Sequence, residues 1–511
     1  MNKNDVRTIA DLVKRSAEEY GAKTFLKELV KGEVSEKSFE EFYTDIKRFF
    51  GYIKNKYGRD VHTAVIGPSS YGWLVSWFGT VSGGSAAVPL DAQLSCEDIC
   101  ELLVRSDTDI FCYDPRYEKM IPAVKANCPN VKEYISFGEN LHEIIANTEP
   151  EELPAVPADK LAAIVYTSGT TGKSKGVMLL NSNYIDNAMC QDNEASPEDT
   201  ILSVLPIHHI YCFTCDIMLS LRYGTTLCFN DSMMHIPQNL KRFAPTIMLI
   251  VPMIAETMYK QIKAAAAQKP EIPIAMIAQS VFGGRLKTIY SGGAYLRPKL
   301  QKAYIDMGFS MAQGYGMTEC SPRISTGAPD DKSCAGDVGV IVNGCEVKTV
   351  DGEILVKSPS VMAGYYKDEA ATAEALTPDG WLRTGDLGYA DENRRIFITG
   401  RKKNLIILSN GENVSPEELE NKFAGYDLIG DVLVYSEDSV ITAEIYPAAE
   451  AAKVLSEEEL EKKILEITDV VNKTVSSAKA IRRVLLRDVE FEKTTSKKIK
   501  RNQPKLGKRI R

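Results

Sequence analysis

The chain has 511 residues, of which 44% are hydrophobic and 25% are charged. This length exceeds what one hydrophobic core supports, so about three or four folding units are expected. The formal net charge of −8 gives no global reason to expect a nucleic-acid partner. No apolar run is long enough to span a bilayer, and nothing near the N-terminus resembles a signal peptide. The eleven cysteines are odd in number and scattered, which favours a reducing cytoplasm over a disulfide framework.

The first predicted element is a helix, in which apolar residues from Ile9 to Tyr20 recur at helical spacing and Gly21 supplies the C-cap. From about residue 60 to residue 320, short apolar runs alternate with helical stretches. This alternation predicts an α/β body whose sheets are covered by helices. The predicted strands are His62–Gly67, Ala86–Leu90, Asp109–Tyr113, Leu161–Thr167, Ile201–Pro206, Thr225–Phe229, Thr246–Val251 and Lys287–Ser291. Cys212 and Cys215 have no second ligand pair nearby, so buried thiols are favoured over a zinc site.

The pattern changes between about 335 and 400, where runs broken by Gly, Asp and Asn predict a mostly antiparallel β subdomain. We place a domain boundary near residue 402, which gives a large domain over 1–401 and a small α+β domain over 402–511. In the small domain, Ser415 and Ser456 are predicted helix N-caps, and Asp431–Tyr435, Val440–Tyr446 and Arg483–Val489 are predicted strands. The tail from Lys493 to Arg511 carries nine Lys or Arg and no acid. It is interpreted either as a solvated basic tail or as a segment brought against phosphates.

Residues 166–177, Tyr-Thr-Ser-Gly-Thr-Thr-Gly-Lys-Ser-Lys-Gly-Val, follow a predicted buried strand. Glycines allow close backbone approach to a ligand, hydroxyls donate hydrogen bonds, and lysines supply positive charge, so the segment predicts a phosphate-binding loop. Gly172, Lys173 and Ser174 match the second half of the Walker pattern, but Thr167 stands where the pattern requires its first glycine. A P-loop kinase or ATPase is therefore a disfavoured alternative.

Further short segments lie at defined spacing after this loop: Ser291–Ala294, Gln313–Glu319, Thr384–Tyr389, Gly400–Lys403 and Thr494–Arg501. With the loop and the stretch from Gly364-Tyr-Tyr to Asp386, they make the chain resemble the superfamily of AMP-forming adenylating enzymes. That superfamily includes acyl-CoA synthetases, peptide-synthetase adenylation domains and beetle luciferases. The resemblance extends from the loop to the C-terminus and is looser before residue 160.

The resemblance implies a two-step reaction with ATP, Mg²⁺ and coenzyme A. A carboxylate attacks the α-phosphate of ATP to give an acyl-adenylate and pyrophosphate, and a thiol then displaces AMP. It implies that Thr318 and Glu319 are catalytic, with Glu319 as the Mg²⁺ ligand, that Tyr315 stacks on adenine, and that Asp386 and Arg401 bind the ribose. The implied ATP- and AMP-binding residues are Thr167, Ser168, Gly169, Thr170, Thr171, Gly172, Lys173, Lys175, Gly293, Ala294, Gln313, Gly314, Tyr315, Gly316, Met317, Thr318, Asp386 and Arg401.

A lysine of the C-terminal domain is implied to reach the α-phosphate during adenylation. The superfamily's Gly-Lys-Ile-x-Arg ending selects Lys498, but Lys497 stands where that ending has glycine, so both lysines stay candidates. The C-terminal domain is implied to rotate between the two steps about a hinge at Lys403. Gly411 is implied to line the tunnel for the thiol.

The sequence defines the acid substrate less closely than it defines the type of reaction. Pro206-Ile-His-His resembles the segment that places a histidine near the carboxylate in acyl- and aryl-CoA ligases, which selects His209. No aspartate between Ser203 and Thr214 could pair with a substrate ammonium, so an amino acid is disfavoured. The run from Gly400 to Glu420 looks most like fatty acyl-CoA ligases, which predicts a medium- or long-chain fatty acid, with aryl acids as the alternative. CoA is the predicted acceptor, and an acyl carrier protein is the alternative acceptor.

Overall fold

The computed structural model describes residues 1, 5–167, 174–191, 195–407, 413–423, 425–437, 440–448, 453–493 and 499–511. Its helices are α1 (Ile9–Tyr20), α2 (Phe39–Tyr57), α3 (Tyr71–Ser82), α4 (Cys96–Arg105), α5 (Ile121–Asn127), α6 (Glu139–Asn147), α7 (Asn181–Ala188), α8 (Ile210–Cys212), α9 (Leu219–Tyr223), α10 (Ile236–Phe243), α11 (Pro252–Gln268), α12 (Ile274–Val281), α13 (Pro298–Asp306), α14 (Glu369–Ala375), α15 (Pro416–Phe423) and α16 (Glu457–Asn472). A π-helical segment, Phe213–Met218, connects α8 to α9. No helix within these ranges combines the length and apolarity that crossing a membrane requires.

The strands are β1 (Thr24–Val30), β2 (Glu33–Ser38), β3 (His62–Ile66), β4 (Ala86–Leu90), β5 (Ile110–Tyr113), β6 (Glu133–Ser136), β7 (Leu161–Thr167), β8 (Lys175–Leu180), β9 (Thr200–Ser203), β10 (Thr226–Phe229), β11 (Ile247–Ile250), β12 (Thr288–Ser291), β13 (Ser310–Gly316), β14 (Arg323–Thr326), β15 (Val340–Ile341), β16 (Glu346–Val350), β17 (Glu353–Lys357), β18 (Gly364–Tyr365), β19 (Leu382–Ala390), β20 (Ile396–Arg401), β21 (Ile406–Ile407), β22 (Asn413–Val414), β23 (Ile429–Glu437), β24 (Val440–Pro447), β25 (Arg483–Leu486) and β26 (Lys508–Arg509). The strands predicted between residues 60 and 320 are confirmed as β3, β4, β5, β7, β9, β10, β11 and β12.

Two large mixed sheets form the body of the molecule. Nine of the described strands have the order β15-β14-β13-β12-β11-β9-β10-β1-β2, and the strands from β13 to β1 in this order run parallel. Seven others have the order β18-β8-β7-β4-β3-β5-β6, in which β8 and β18 run antiparallel to their neighbours. All five residues of β4 are buried, as expected for a parallel strand covered on both faces.

An aromatic cluster joins the two sheets. Trp77 of α3 lies 4.2 Å from Phe213 of the π-helical segment and 5.7 Å from Tyr184 of α7, measured between ring centroids. All three side chains are buried. Since α3 follows β3 of the smaller sheet and Phe213 lies between β9 and β10 of the larger one, the two sheets share one hydrophobic core.

The predicted β subdomain is present as a sheet of β16, β17, β19 and β20, all antiparallel within the described chain. Two short strands of the same region belong elsewhere: β15 extends the nine-stranded sheet and β18 pairs with β8. The predicted fold class, an α/β body with a β subdomain and a small α+β unit, is confirmed. Strand β18 pairs with β8 at the edge of the seven-stranded sheet, which brings Tyr365 beside Lys175, where the predicted phosphate loop ends.

The C-terminal unit has its own apolar cluster, formed by residues between 406 and 510. Strands β23 to β26 form its described sheet, with α15 and α16 packed against the same cluster. Ser456 and Glu459 form the predicted capping box of α16, with Glu459 N donating to Ser456 Oγ at 3.3 Å. Strand β25 ends at Leu486, before the predicted limit of Val489, and there Arg487 turns inward toward a buried carboxylate.

The basic tail is folded against this unit. Strand β26 pairs with β25, and Lys493 and Lys505 pair with Asp431 and Glu437 at 2.8 and 3.3 Å. Lys500, Arg501, Lys508 and Arg511 also pair with acids of the unit. Six described cations of the tail are thus paired with acids of the same unit, while the side chains of Lys500, Lys505 and Lys508 stay largely open to solvent.

Candidate active site

A cavity of about 970 Å³ opens at the carboxyl edge of the nine-stranded sheet. Val204, Asn230, Val251 and Gly292 directly follow β9, β10, β11 and β12, and each lines this cavity. Ligands of α/β proteins bind at this edge of the sheet because the loops there can diverge and leave a crevice. The volume is within the range of known small-molecule sites.

The predicted phosphate loop connects two antiparallel strands. Strand β7 ends at Thr167 and β8 begins at Lys175, and these two residues are paired across the hairpin and line the cavity. Ser168, Gly169, Thr170, Thr171, Gly172 and Lys173 lie outside the described residues. A Walker loop is followed by a helix whose N-terminus faces the phosphates. Since a strand follows here, the alternative of a P-loop kinase or ATPase is excluded.

Tyr315, Asp386 and Arg401 meet at the cavity, although Tyr315 and Asp386 are 71 residues apart in sequence. The Tyr315 hydroxyl donates to Asp386 Oδ2 at 2.8 Å, and Arg401 Nε lies 2.8 Å from Asp386 Oδ1. Tyr315 and Arg401 line the cavity, and the Asp386 carboxylate is buried behind them. Burial, followed by the charge of Asp386, raises the pKa of Tyr315 well above its usual value, so Tyr315 is a permanent donor.

Glu319 and Thr318 lie in a 3₁₀ turn, Thr318–Cys320, just after β13, and both line the cavity. The Tyr365 hydroxyl of β18 donates to Glu319 Oε1 at 2.9 Å. Lys175 Nζ lies 4.9 Å from the centroid of the Tyr365 ring, within the range of a cation–π contact. Burial, followed by the charge of Glu319, raises the pKa of Tyr365, which keeps its proton on the hydroxyl.

Tyr365 is a site residue that the sequence analysis missed. The signal was present, because Gly364-Tyr-Tyr was one of the stretches on which the resemblance depended. Its position could not be predicted because β18 leaves the β subdomain to pair with β8. Among the described residues no group of three or more His, Cys, Asp and Glu side chains could hold a metal. A single carboxylate completed by phosphate oxygens is nevertheless a usual Mg²⁺ arrangement, and Glu319 fits it.

Most of the other predicted nucleotide contacts also lie at the cavity. Gly293, Gly314, Gly316 and Met317 line it. A Cβ at Gly316 would lie 1.9 Å from the Pro322 carbonyl oxygen, so no side chain fits there. Ala294 is exposed and Gln313 is buried, and neither is among the lining residues. Within the described residues, Gln313 Oε1 is buried without a hydrogen-bond partner.

His209 is the N-cap of α8, where its Nδ1 accepts from Tyr211 N at 3.3 Å, and it lines the cavity. The neighbouring His208 also lines the cavity and lies 3.7 Å from Asp91. Burial lowers the pKa of His208, and the charge of Asp91 opposes this shift. Lys403, the predicted hinge, lines the cavity in the turn Lys402–Asn404. Burial, followed by the charge of Arg401, lowers the pKa of Lys403. Gly411, Lys497 and Lys498 lie outside the described residues.

The part of the cavity that extends along the nine-stranded sheet is apolar. Ile247 and Leu249 of β11 and Val251, which directly follows it, alternate along the chain and all line the cavity, so they lie on the same face. Ile201 of β9 is the register partner of Ile247 and lines the cavity at the same depth. From Val251 to Ile247 this wall covers about 13 Å, the rise of four residues in a parallel strand. Further aliphatic lining residues are Val204, Leu205, Ile210, Leu219 and Ile254.

An aspartate outside residues 203–214 also reaches this region. Asp231 lines the cavity, with its carboxylate bound to His235 at 2.8 Å and to Asn239 at 2.8 Å. The predicted absence of an aspartate therefore holds only for residues 203–214. Cys212 and Cys215 are buried and form no disulfide, and Cys212 Sγ donates to the Leu205 carbonyl at 3.3 Å, which agrees with a packing role.

The AMP-binding enzyme family matches residues 13–366, and the AMP-binding enzyme C-terminal domain matches residues 403–505. The chain belongs to the AMP-binding enzyme family. It is an acid–thiol ligase. A long-chain-fatty-acid–CoA ligase of Mycobacterium bovis is 27% identical over 422 residues, which cover 72% of this chain and 70% of the relative. The peroxisomal long chain acyl-CoA synthetase 7 of Arabidopsis thaliana is 34% identical over 331 residues, which cover 56% and 47% of the two chains.

Solved structures share the fold of this AMP-binding enzyme. ATP-bound MatB of Rhodopseudomonas palustris superposes with a TM-score of 0.82 at 23% identity, covering 96% of this chain and 97% of MatB. The o-succinylbenzoate-CoA synthetase of Bacillus subtilis in complex with AMP gives a TM-score of 0.78 at 23% identity, with coverage of 97% and 99%. At these identities the likeness shows the fold alone.

Proposed function

We propose that this enzyme activates a medium- or long-chain fatty acid with ATP and transfers the acyl group to coenzyme A. The supporting observation is the continuity of one cavity. Its polar part contains Tyr315, Arg401 and Glu319, and its other part is the apolar wall along β11. A reaction that joins a nucleotide phosphate to the head of an apolar acid needs both parts in contact.

In the first step, a carboxylate oxygen attacks the α-phosphorus of ATP, the bond to the β-phosphate bridging oxygen breaks, and pyrophosphate leaves. Such a displacement depends on positioning and on neutralising charge. The loop that begins at Thr167 and ends at Lys175 would hold the departing phosphates, Asp386 would accept the ribose hydroxyls, and the adenine would lie against Tyr315 and the Gly293–Ala294 backbone. Thr318 and Lys498 would approach the α-phosphate, and His209 would lie beside the carboxylate.

Glu319 is the residue that would hold Mg²⁺. When bound, the ion neutralises charge on the phosphate oxygens. Tyr365 fixes one oxygen of Glu319 through the 2.9 Å hydrogen bond, which limits the carboxylate to one orientation. This agrees with a metal site built from one protein carboxylate and the nucleotide itself.

In the second step, the thiol of CoA loses its proton to water, its sulfur bonds to the acyl carbon, the bond from that carbon to the phosphate oxygen breaks, and AMP leaves. We infer that residues 402–511 rotate between the two steps about Lys403, which admits the thiol along a tunnel lined by Gly411. The separate apolar cluster of residues between 406 and 510 supports a unit that can rotate as a body. The turn Lys402–Asn404 is the short connection at which backbone angles would change.

The length of the apolar wall supports a fatty acid. Carbon–carbon bonds of about 1.5 Å at tetrahedral angles advance about 1.25 Å each, so a wall of about 13 Å matches an extended chain of about ten carbons. Burying each methylene contributes about 0.8 kcal/mol, so affinity should rise steeply with chain length up to that limit.

Acid-dependent exchange between ATP and labelled pyrophosphate tests the proposal, with fatty, aryl and amino acids compared. We expect exchange with fatty acids, release of AMP, and acyl-CoA when CoA is added. Release of ADP, or equal exchange without any acid, would contradict the proposal. In a parallel assay a holo acyl carrier protein replaces CoA. Faster transfer to the carrier protein would show that it, and not CoA, is the acceptor.

Two tryptophan substitutions at different depths test whether the acyl chain lies along the apolar wall. Leu249→Trp should shorten the longest accepted acid more than Ile247→Trp, because Leu249 lies about 6.6 Å nearer the polar part. Both should leave the KM for ATP unchanged. An unchanged chain-length profile in both folded variants would show that the acyl chain lies elsewhere.

A further inference from the structure

The carboxyl end of α4 lies against both ends of the phosphate loop. Arg105, the last residue of α4, donates from Nη2 to the Ser174 carbonyl at 2.7 Å. Its guanidinium carbon also lies 5.5 Å from the centroid of the Tyr166 ring. Tyr166 precedes Thr167 at the start of the loop, and Ser174 precedes Lys175 at its end. One side chain therefore contacts both strands of the hairpin where the loop leaves them.

A second contact from the same helix end supports the same hairpin. Asp107, two residues beyond α4, accepts from the Tyr366 hydroxyl at 2.6 Å and pairs with Lys367. The Tyr366 backbone N donates to the Gly176 carbonyl at 2.7 Å. Since Tyr366 directly follows Tyr365, this contact also fixes the strand that orients Glu319.

We propose that Arg105 is a positioning residue that sets the spacing between the two ends of the phosphate loop. This inference rests on the proposed function, in which that loop binds the β- and γ-phosphates. Arg105 is not among the residues that line the cavity, so it acts through Ser174 and Tyr166 and not on the substrate. A charged donor to a carbonyl and a cation over an aromatic ring both hold their partners in defined positions.

This position predicts selective loss of triphosphate binding. AMP contacts the adenine and ribose part of the site and has no β- or γ-phosphate, so its affinity should not depend on the loop. Without Arg105 the loop ends lose a charge-assisted hydrogen bond, and ATP should bind roughly tenfold more weakly, the lower end of what such a bond contributes.

The test compares the dissociation constants of ATP and AMP for the full chain by calorimetry without acid. Arg105→Ala should weaken ATP about tenfold and AMP less than twofold, and Arg105→Lys, which keeps the charge and a donor, should recover part of the ATP affinity. Glu101→Gln removes the intrahelical partner of Arg105, and Arg116→Ala removes a surface arginine paired with Asp114. Both controls should bind ATP as the wild type does.

Equal weakening of ATP and AMP would show a general structural role, and unchanged ATP affinity would show no role, so either result overturns the proposal. If Arg105→Ala does not fold, Arg105→Gln decides by the same two criteria. Failure of the proposed function is distinguishable, because the wild-type enzyme would then show no acid-dependent exchange. Normal exchange in the wild type together with unchanged ATP binding in the variant would overturn the Arg105 role alone.

Discussion

Replacing Asp386 with asparagine tests the nucleotide site most directly. Asp386 is 3% exposed and accepts from Tyr315 and Arg401, each at 2.8 Å. Asparagine keeps the shape but removes the charge, and its NH₂ group must face one of these donors. If the carboxylate also accepts the ribose hydroxyls, the variant loses charge-assisted bonds worth about 1.5–3 kcal/mol each. We expect AMP to bind on the order of 10²-fold more weakly, which corresponds to about 3 kcal/mol.

The same substitution should change folding stability little. The Arg401 side chain is 44% exposed, so water can solvate its charge once Asp386 is neutral, and a pair with one exposed partner contributes about 0–1 kcal/mol. Calorimetric titration with AMP, together with thermal unfolding, separates the two effects. The acid KM should stay near the wild-type value, because Asp386 lies in the polar part of the site.

Asp337→Asn is the matched control. Asp337 pairs with Arg395 at 3.2 Å and does not line the cavity. Its replacement should leave AMP affinity within about twofold, as expected for a partly solvated ion pair away from the ligand. If Asp386→Asn bound AMP as well as the wild type, or if Asp337→Asn weakened AMP equally, the assignment of Asp386 to the ribose would be wrong.

Further predictions concern other parts of the enzyme. Tyr365→Phe keeps the ring under Lys175 but loses the hydrogen bond to Glu319, so the Mg²⁺ concentration for half-maximal exchange should rise about fivefold; an unaltered Mg²⁺ dependence would contradict the role of Tyr365. Burial raises the pKa of Asp216 to about 7, with Ser203 and Cys212 opposing the shift. The folded state thus favours the protonated acid. The contribution of Asp216 to folding stability is therefore fully present below the unfolded pKa of about 4 and is lost as the pH rises through 7. Urea unfolding should show Asp216→Asn on the order of 4 kcal/mol more stable than the wild type at pH 8 and equal to it near pH 4, whereas parallel pH profiles would refute this. Lys498→Ala should lower the adenylation rate about 10²–10³-fold and affect thioester formation from presynthesised acyl-adenylate far less; a larger effect of Lys497→Ala would move the role to that lysine. Lys403→Pro should slow thioester formation and spare adenylation in single-turnover assays, because proline fixes φ at the hinge; equal loss or equal retention of the two rates would argue against rotation at Lys403.

Elements that depend on local sequence were predictable. Buried parallel strands such as β11 consist of consecutive apolar residues, and helix caps such as Ser456 are recognised by a side chain three residues away. Membership of the AMP-binding enzyme family was also predictable, because the phosphate-loop motif and the short segments after it have a defined order along the chain. In these cases the determining residues are neighbours in sequence.

Contacts between distant segments required the tertiary structure. The Tyr365–Glu319 hydrogen bond depends on β18 pairing with β8 and not with the strands of the β subdomain. The Arg105–Ser174 contact joins residues that are 69 positions apart. The basic tail shows the same limit, since its charge pattern alone predicted exposure or phosphate binding. Whether those cations form ion pairs depends on where Asp431, Glu437 and Asp469 lie after folding.

The sequence by itself determined the strands and the family resemblance, because each is encoded in residues that are adjacent or in a fixed order. Only the tertiary structure decided that a strand and not a helix follows the loop, that one cavity joins the polar part to an apolar wall, and that Arg105 contacts both Tyr166 and Ser174. These features arise from how sheets pair and pack over long sequence separations, which no short pattern specifies.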